Sequence, residues 1–60
     1  HVAAKVERKG RQTVLVDGKP YKQDFEQVWE PEFSPDASKV LIRARDGGKY
    51  LRIVADVAAF

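Results

Sequence analysis

Residues Val2–Val16 read VAAKVERKGRQTVLV, and residues Val40–Val54 read VLIRARDGGKYLRIV. A shift of 38 residues superposes them. Val2 then meets Val40, Gly10 meets Gly48 and Val16 meets Val54, while Lys5 meets Arg43, Arg11 meets Lys49 and Leu15 meets Ile53. Both stretches alternate apolar and polar residues, the pattern of strands whose side chains point to opposite faces with period two. Each is broken midway by glycine, so each reads as one hairpin, and the chain holds that hairpin twice.

The intervening residues carry turn chemistry. Asp17-Gly18 is a two-residue hairpin signal, because a type I′ turn needs positive φ at both central positions. Ser34-Pro35-Asp36-Ala37-Ser38 is a further turn, with the proline preset for its second position. Pro20 and Pro31 donate no backbone N–H and mark an edge segment and an edge or bulge. The predicted strands are Val2–Glu7, Gln12–Val16, Val28–Phe33, Lys39–Arg45 and Lys49–Ala55, with a short segment at Lys19–Lys22. A helical turn over Asp24–Trp29, capped by Asp24 and stopped by Pro31, is the competing reading of that stretch. Asp56–Phe60 is too short for a helix of its own and reads as a tail or a partial strand. The alternating positions predict a core of Val2, Ala4, Val6, Leu15, Trp29, Phe33, Val40, Ile42, Leu51 and Ile53.

Composition narrows the function. The chain has 60 residues, 43% of them hydrophobic, with 11 basic residues against 9 acidic ones for a net charge of +2. That balance does not by itself imply a nucleic-acid partner. There is no Cys or Met, and the one His is His1. A disulfide framework, a thiolate metal site and a thiol nucleophile are thereby excluded, and no cofactor is expected. No apolar run approaches the ~20 residues that span a bilayer, and no basic-then-apolar signal segment opens the chain. Ser34 and Ser38 lack a His partner for a triad, and Glu26, Glu30 and Glu32 lie in no evident cleft. Asp17, Asp36 and Asp46 lie in turns, too scattered for a calcium loop. The expectation is a single small non-enzymatic domain, 1–60.

A period near 40 residues with about four short strands is the mark of a β-propeller blade. The segment Phe33-Ser34-Pro35-Asp36-Ala37-Ser38-Lys39-Val40 resembles the F-S-P-D-G-x-x-I turn of TolB-type, WD-like propeller repeats, with Ala37 at the usual glycine. Arg45–Lys49 and Val16–Lys19 fit the same repeat. The resemblance implies an all-β, antiparallel fold of one propeller blade plus an extra hairpin, as a fragment of a larger propeller. More narrowly, Val2–Thr13, Val16–Lys19, Val28–Pro31 and Phe33–Asp36 resemble the last blades of the cytoplasmic propeller subunits of the transmembrane cytochrome c redox complexes of sulfate-reducing bacteria. That likeness implies a cytoplasmic, C-terminal piece of an electron-transfer assembly. It transfers no haem or iron–sulfur ligand, since the chain has no Cys or Met and only a terminal His.

Five residues are candidates for contact with a partner. Trp29 and Tyr50 belong to the types that anchor interfaces; the plainer account of Trp29 is a core residue beside Phe25 and Phe33. Arg43, Arg45 and Arg52 come together if the Asp46–Gly48 hairpin pairs their strands. With Tyr50 among them they form a face able to bind single-stranded nucleic acid, as in small β-barrels. The plainer account is a solvated face balanced by Glu30, Glu32 and Asp56. The leading expectation is a structural, protein-interaction module that contacts other subunits or neighbouring blades; a free-standing nucleic-acid-binding barrel is the alternative. A blade with an open edge favours a homodimer through that edge or the Trp29 face. Stacking of the two hairpins face to face within one chain is the other outcome.

Overall fold

A computed structural model describes every residue, His1–Phe60. Three two-residue turns set its architecture. Lys9-Gly10, Asp17-Gly18 and Gly47-Gly48 all have positive φ at both positions: 54° and 78°, 52° and 82°, 59° and 76°. This is the type I′ requirement, whose twist matches that of the flanking strands. Around these turns run β1 (Ala3–Arg8), β2 (Arg11–Val16), β3 (Lys19–Pro20), β4 (Gln27–Val28), β5 (Glu32–Phe33), β6 (Lys39–Asp46) and β7 (Lys49–Asp56). The chain is all-β and every strand pair is antiparallel. No helix is long and apolar enough to cross a membrane.

The strands form two sheets. One has the order β1-β2-β3. In the other, β6 is central, with β7 along one side and β4 and β5 along the other. The predicted strand Val28–Phe33 is split in two by a bulge. Val28 pairs with Ala44 and Phe33 with Val40, a register that slips by one residue between them. Glu30 and Pro31 together therefore oppose Ile42, where a proline with no N–H to donate is tolerated. No helical turn forms at Asp24–Trp29. Instead Phe25 exchanges two backbone hydrogen bonds with Gln12, of 2.8 and 2.7 Å, and the chain passes from the first sheet to the second over the next residues. The tail is a 3-10 turn, Val57–Ala59, rather than a strand.

The internal repeat is present in backbone detail. Arg8 pairs with Arg11 in the first hairpin, and Asp46 pairs with Lys49, 38 residues later, in the second. The loops Lys9-Gly10 and Gly47-Gly48 occupy the same place with closely similar φ.

The core corrects the expected one in an instructive way. Eight residues are buried: Val14, Val16, Phe25, Val28, Val40, Ile42, Ala44 and Ala55, all in one cluster. Phe33, Leu51 and Ile53 are half-buried against it. In the second hairpin the inward face is the expected one, with Val40 and Ile42 fully enclosed. In the first hairpin it is the other face. Val14 and Val16 are buried, whereas Val2 is 73% exposed, Ala4 is exposed, and Val6 and Leu15 are half-buried. Trp29, also expected in the core, is 37% exposed. The hairpins therefore stack within one chain, but face to back: the Val40–Ile42–Ala44 face of the second copy closes over the Val14–Val16 face of the first. A strand with apolar residues on both faces offers no alternation from which to choose the inner one, and Val14-Leu15-Val16 is such a run.

Candidate functional site

The second sheet has an outer face opposite its core face, and alternation assigns its residues. Along β6 they are Lys39, Leu41, Arg43 and Arg45; along β7 they are Tyr50, Arg52, Val54 and Asp56. The register sets Arg43 opposite Arg52 and Arg45 opposite Tyr50. Trp29 joins this face from just beyond β4, its backbone N–H donating to the Arg43 carbonyl at 2.9 Å. Its ring lies 6.0 Å, centroid to centroid, from that of Tyr50, tilted by 40°. Tyr50 is 76% exposed. All five residues singled out in the sequence, Trp29, Tyr50, Arg43, Arg45 and Arg52, thus share one face, and all but Arg45 line a shallow groove together with Ala44 and Leu51.

The charges on this face are only partly balanced. Glu32 pairs with Arg43 at 3.1 Å, and Asp56 pairs with Lys39. Arg45 and Arg52 pair with no carboxylate. Arg43 and Arg52, set directly opposite, repel; like charges so placed cost tenths of a kcal/mol or more.

A second open face was not recognisable as a site from the strand pattern alone. On the outer side of the first sheet, Val2, Ala4, Val6 and Leu15 lie together, with Pro20 opposite Leu15. The repeat itself carries the signal. Shifted by 38 residues, Val2, Ala4, Val6 and Leu15 become Val40, Ile42, Ala44 and Ile53, the residues that the second hairpin turns into the core.

The remaining polar groups do structural work. Asp36 Oδ1 accepts from the Ser38 N–H at 3.0 Å and from the Ser38 and Ser34 hydroxyls, each at 2.8 Å. These bonds, the Ser38 N–H first, hold its carboxyl down at about 2. Arg11 reaches Asp24 and Asp46, each at 3.1 Å; the bond to Asp24 is the main cause that raises its pKa, against some desolvation. Asp17 accepts the Val2 N–H at 2.8 Å beside the His1 ring. The three turn aspartates are thus engaged in backbone and cross-hairpin contacts, and no cluster of His, Cys, Asp or Glu has a metal-site arrangement. Compared with family models, curated proteins and solved structures, the chain matches none.

Proposed function

We propose that this chain is a structural, protein-interaction module built of stacked β-repeats, the role expected of propeller-type blades. The observation that carries this reading is the face-to-back stacking of two like hairpins. A two-fold sandwich buries equivalent faces against each other. Here the Val40–Ile42–Ala44 face of one copy covers the Val14–Val16 face of the copy before it. Such stacking propagates, and it leaves one unlike face open at each end. The open face at the first hairpin is apolar: Val2, Ala4, Val6 and Leu15. The open face at the second is rich in arginine, the polarity of a repeat that ends a stack. A neighbouring blade or another subunit would cover the apolar face, and β1 offers a free strand edge beside it. Within an electron-transfer assembly in the cytoplasm, the setting implied by the narrower likeness, the chain would contribute contact surface and no ligand.

A second copy of the chain is the partner at hand for a test. Sedimentation equilibrium over a hundredfold concentration range should show a weight-average mass rising above that of one chain. Val6→Lys, a change at a half-buried position of the open face, should hold the mass at one chain without lowering the melting temperature. A constant single-chain mass for the unmodified protein up to millimolar concentration would overturn the reading.

A further inference from the structure

We infer that the outer face of the second sheet binds single-stranded nucleic acid, with bases stacked on Trp29 and Tyr50 and phosphates held by Arg52 and Arg45. Three observations converge on that ligand. First, two aromatic rings 6.0 Å apart lie open on a sheet surface, one of them 76% exposed. A base stacked there adds a π-face to each ring whatever its sequence. Second, the face carries four cations, Lys39, Arg43, Arg45 and Arg52, against the two carboxylates of Glu32 and Asp56, each of which is already paired. The surplus is two guanidiniums, the groups best shaped to hold phosphate oxygens. Third, Arg43 and Arg52 are set opposite each other across the β6–β7 ladder. A like-charge pair at that spacing lowers stability. Glu32 offsets part of that repulsion at Arg43, and an anion held by Arg52 offsets more of it.

The groove between the rings also touches Ala44 and Leu51, whose side chains turn inward to the core. An acidic polypeptide would satisfy the arginines but leave the paired aromatics without a use, and duplex nucleic acid shields its bases from stacking. Single strands satisfy both features. This face lies at the opposite end of the stack from Val6 and Leu15, so the inference stands apart from the association reading.

Trp29 is the only tryptophan in the chain, and its emission reports directly on the face. Titration with a short oligothymidylate at low salt should quench that emission. Arg52→Thr should weaken binding and flatten the logarithmic salt dependence by about 0.7, the loss of one phosphate contact on a single strand. Tyr50→Ala should weaken binding by roughly ten-fold, within the range measured for loss of one stacked base. Both residues are exposed, and melting curves recorded alongside verify that the variants fold. Parallel titrations with polyglutamate and with a short duplex separate the classes of ligand. Absence of quenching by the oligothymidylate at low salt would overturn the inference. So would equal or tighter binding of polyglutamate or of the duplex.

Discussion

Val14 and Arg52 hold the same place in two copies of one hairpin; Val14 is fully buried and Arg52 is exposed. The backbone there is the same, down to strand register and turn. The difference is which neighbour the face meets. Exchanging chemistry at these two positions tests the face-to-back stack. Val14→Arg places an unpaired charge in the centre of the core, a cost of several kcal/mol, and should leave the chain unfolded at room temperature by circular dichroism. Arg52→Val should leave a melt at least as stable, because it relieves the repulsion from Arg43. Equal tolerance at both positions would reject the stack.

The all-β class, the three hairpin turns, the bulge at Pro31 and the repeat were all legible in the residues, because each rests on local chemistry: positive φ at Asp-Gly and Gly-Gly, a missing N–H at proline, period-two alternation. The meeting of Arg43, Arg45, Arg52 and Tyr50 was legible for the same reason, since one hairpin turn fixes the register that assembles them. The inner face of the first hairpin was not. Val2, Ala4 and Val6 on β1 look more regular than Val14 and Val16 on β2, and only the position of the second hairpin decides between them. Trp29 was misplaced on similar grounds. Its neighbour Val28 takes the inward position, and alternation then turns the larger ring outward. Phe25 was missed because it belongs to no regular strand. A two-bond bridge to Gln12 holds it in the core.

Gln12 is the joint between the sheets. Its backbone pairs with Phe25, and its side-chain Oε1 accepts the N–H of Val28 at 2.7 Å, where Val28 is fully buried. Gln12→Leu removes that acceptor and leaves a buried donor unpaired. The expected loss is about 1–3 kcal/mol, read from urea denaturation. Gln12→Glu retains the acceptor and should cost less than Gln12→Leu. A neutral Gln12→Leu would show that the backbone bridge alone sets the corner.

Ala37 has φ of 60° in the Ser34–Ser38 loop. A glycine at this place needs no explanation; an alanine is held in a conformation that costs an L-residue about 1–2 kcal/mol. A wider loop would relieve that strain. The loop does not widen: the Ala37 N–H donates to the Ser34 carbonyl at 2.9 Å, and Asp36 and Ser34 tie down the N–H groups of Ser38 and Lys39. Ala37→Gly removes the strain but gives the unfolded chain more freedom. The net should be a gain of roughly 0.5–1 kcal/mol, seen as a higher melting temperature. A lower one would mean that the loop shape depends on the alanine methyl.

Asp36 gives the loop a pH dependence of known sign. Its carboxyl is lowered to about 2 by the Ser38 N–H and then by the Ser38 and Ser34 hydroxyls. The folded state therefore releases this proton more readily than the unfolded chain, whose ordinary value is 3.8. The stabilisation is complete above the unfolded value and is lost as pH falls from about 4 toward about 2. Asp36→Asn should melt lower than the unmodified chain near neutral pH, and the gap should close across that acid window. A gap that stays constant down to pH ~2 would show that the hydrogen bonds act without the charge.

The tail closes one end of the core. The Val57 N–H donates to the Ser38 carbonyl at 2.9 Å, which starts the 3-10 turn, and Phe60 then lies against Tyr21 with ring centroids 5.4 Å apart. Tyr21 in turn stacks at 6.4 Å on the buried Phe25. Phe60 follows β7 of the second sheet, and Tyr21 follows β3 of the first, so the pair ties the two hairpin units together at a point far along the chain from the Gln12 joint. Edge-on and tilted aromatic pairs are worth about 0.5–1.5 kcal/mol beyond the area that they bury. A double-mutant cycle of Tyr21→Leu and Phe60→Leu keeps most of that area while removing both rings, and should return a coupling in that range. Phe60→Leu alone should also raise the hydrogen-exchange rate of the Phe25 amide, because the Tyr21 ring that covers Phe25 is then held from one side only. A coupling near zero, with unchanged exchange at Phe25, would show that the tail rests on the core without bracing it.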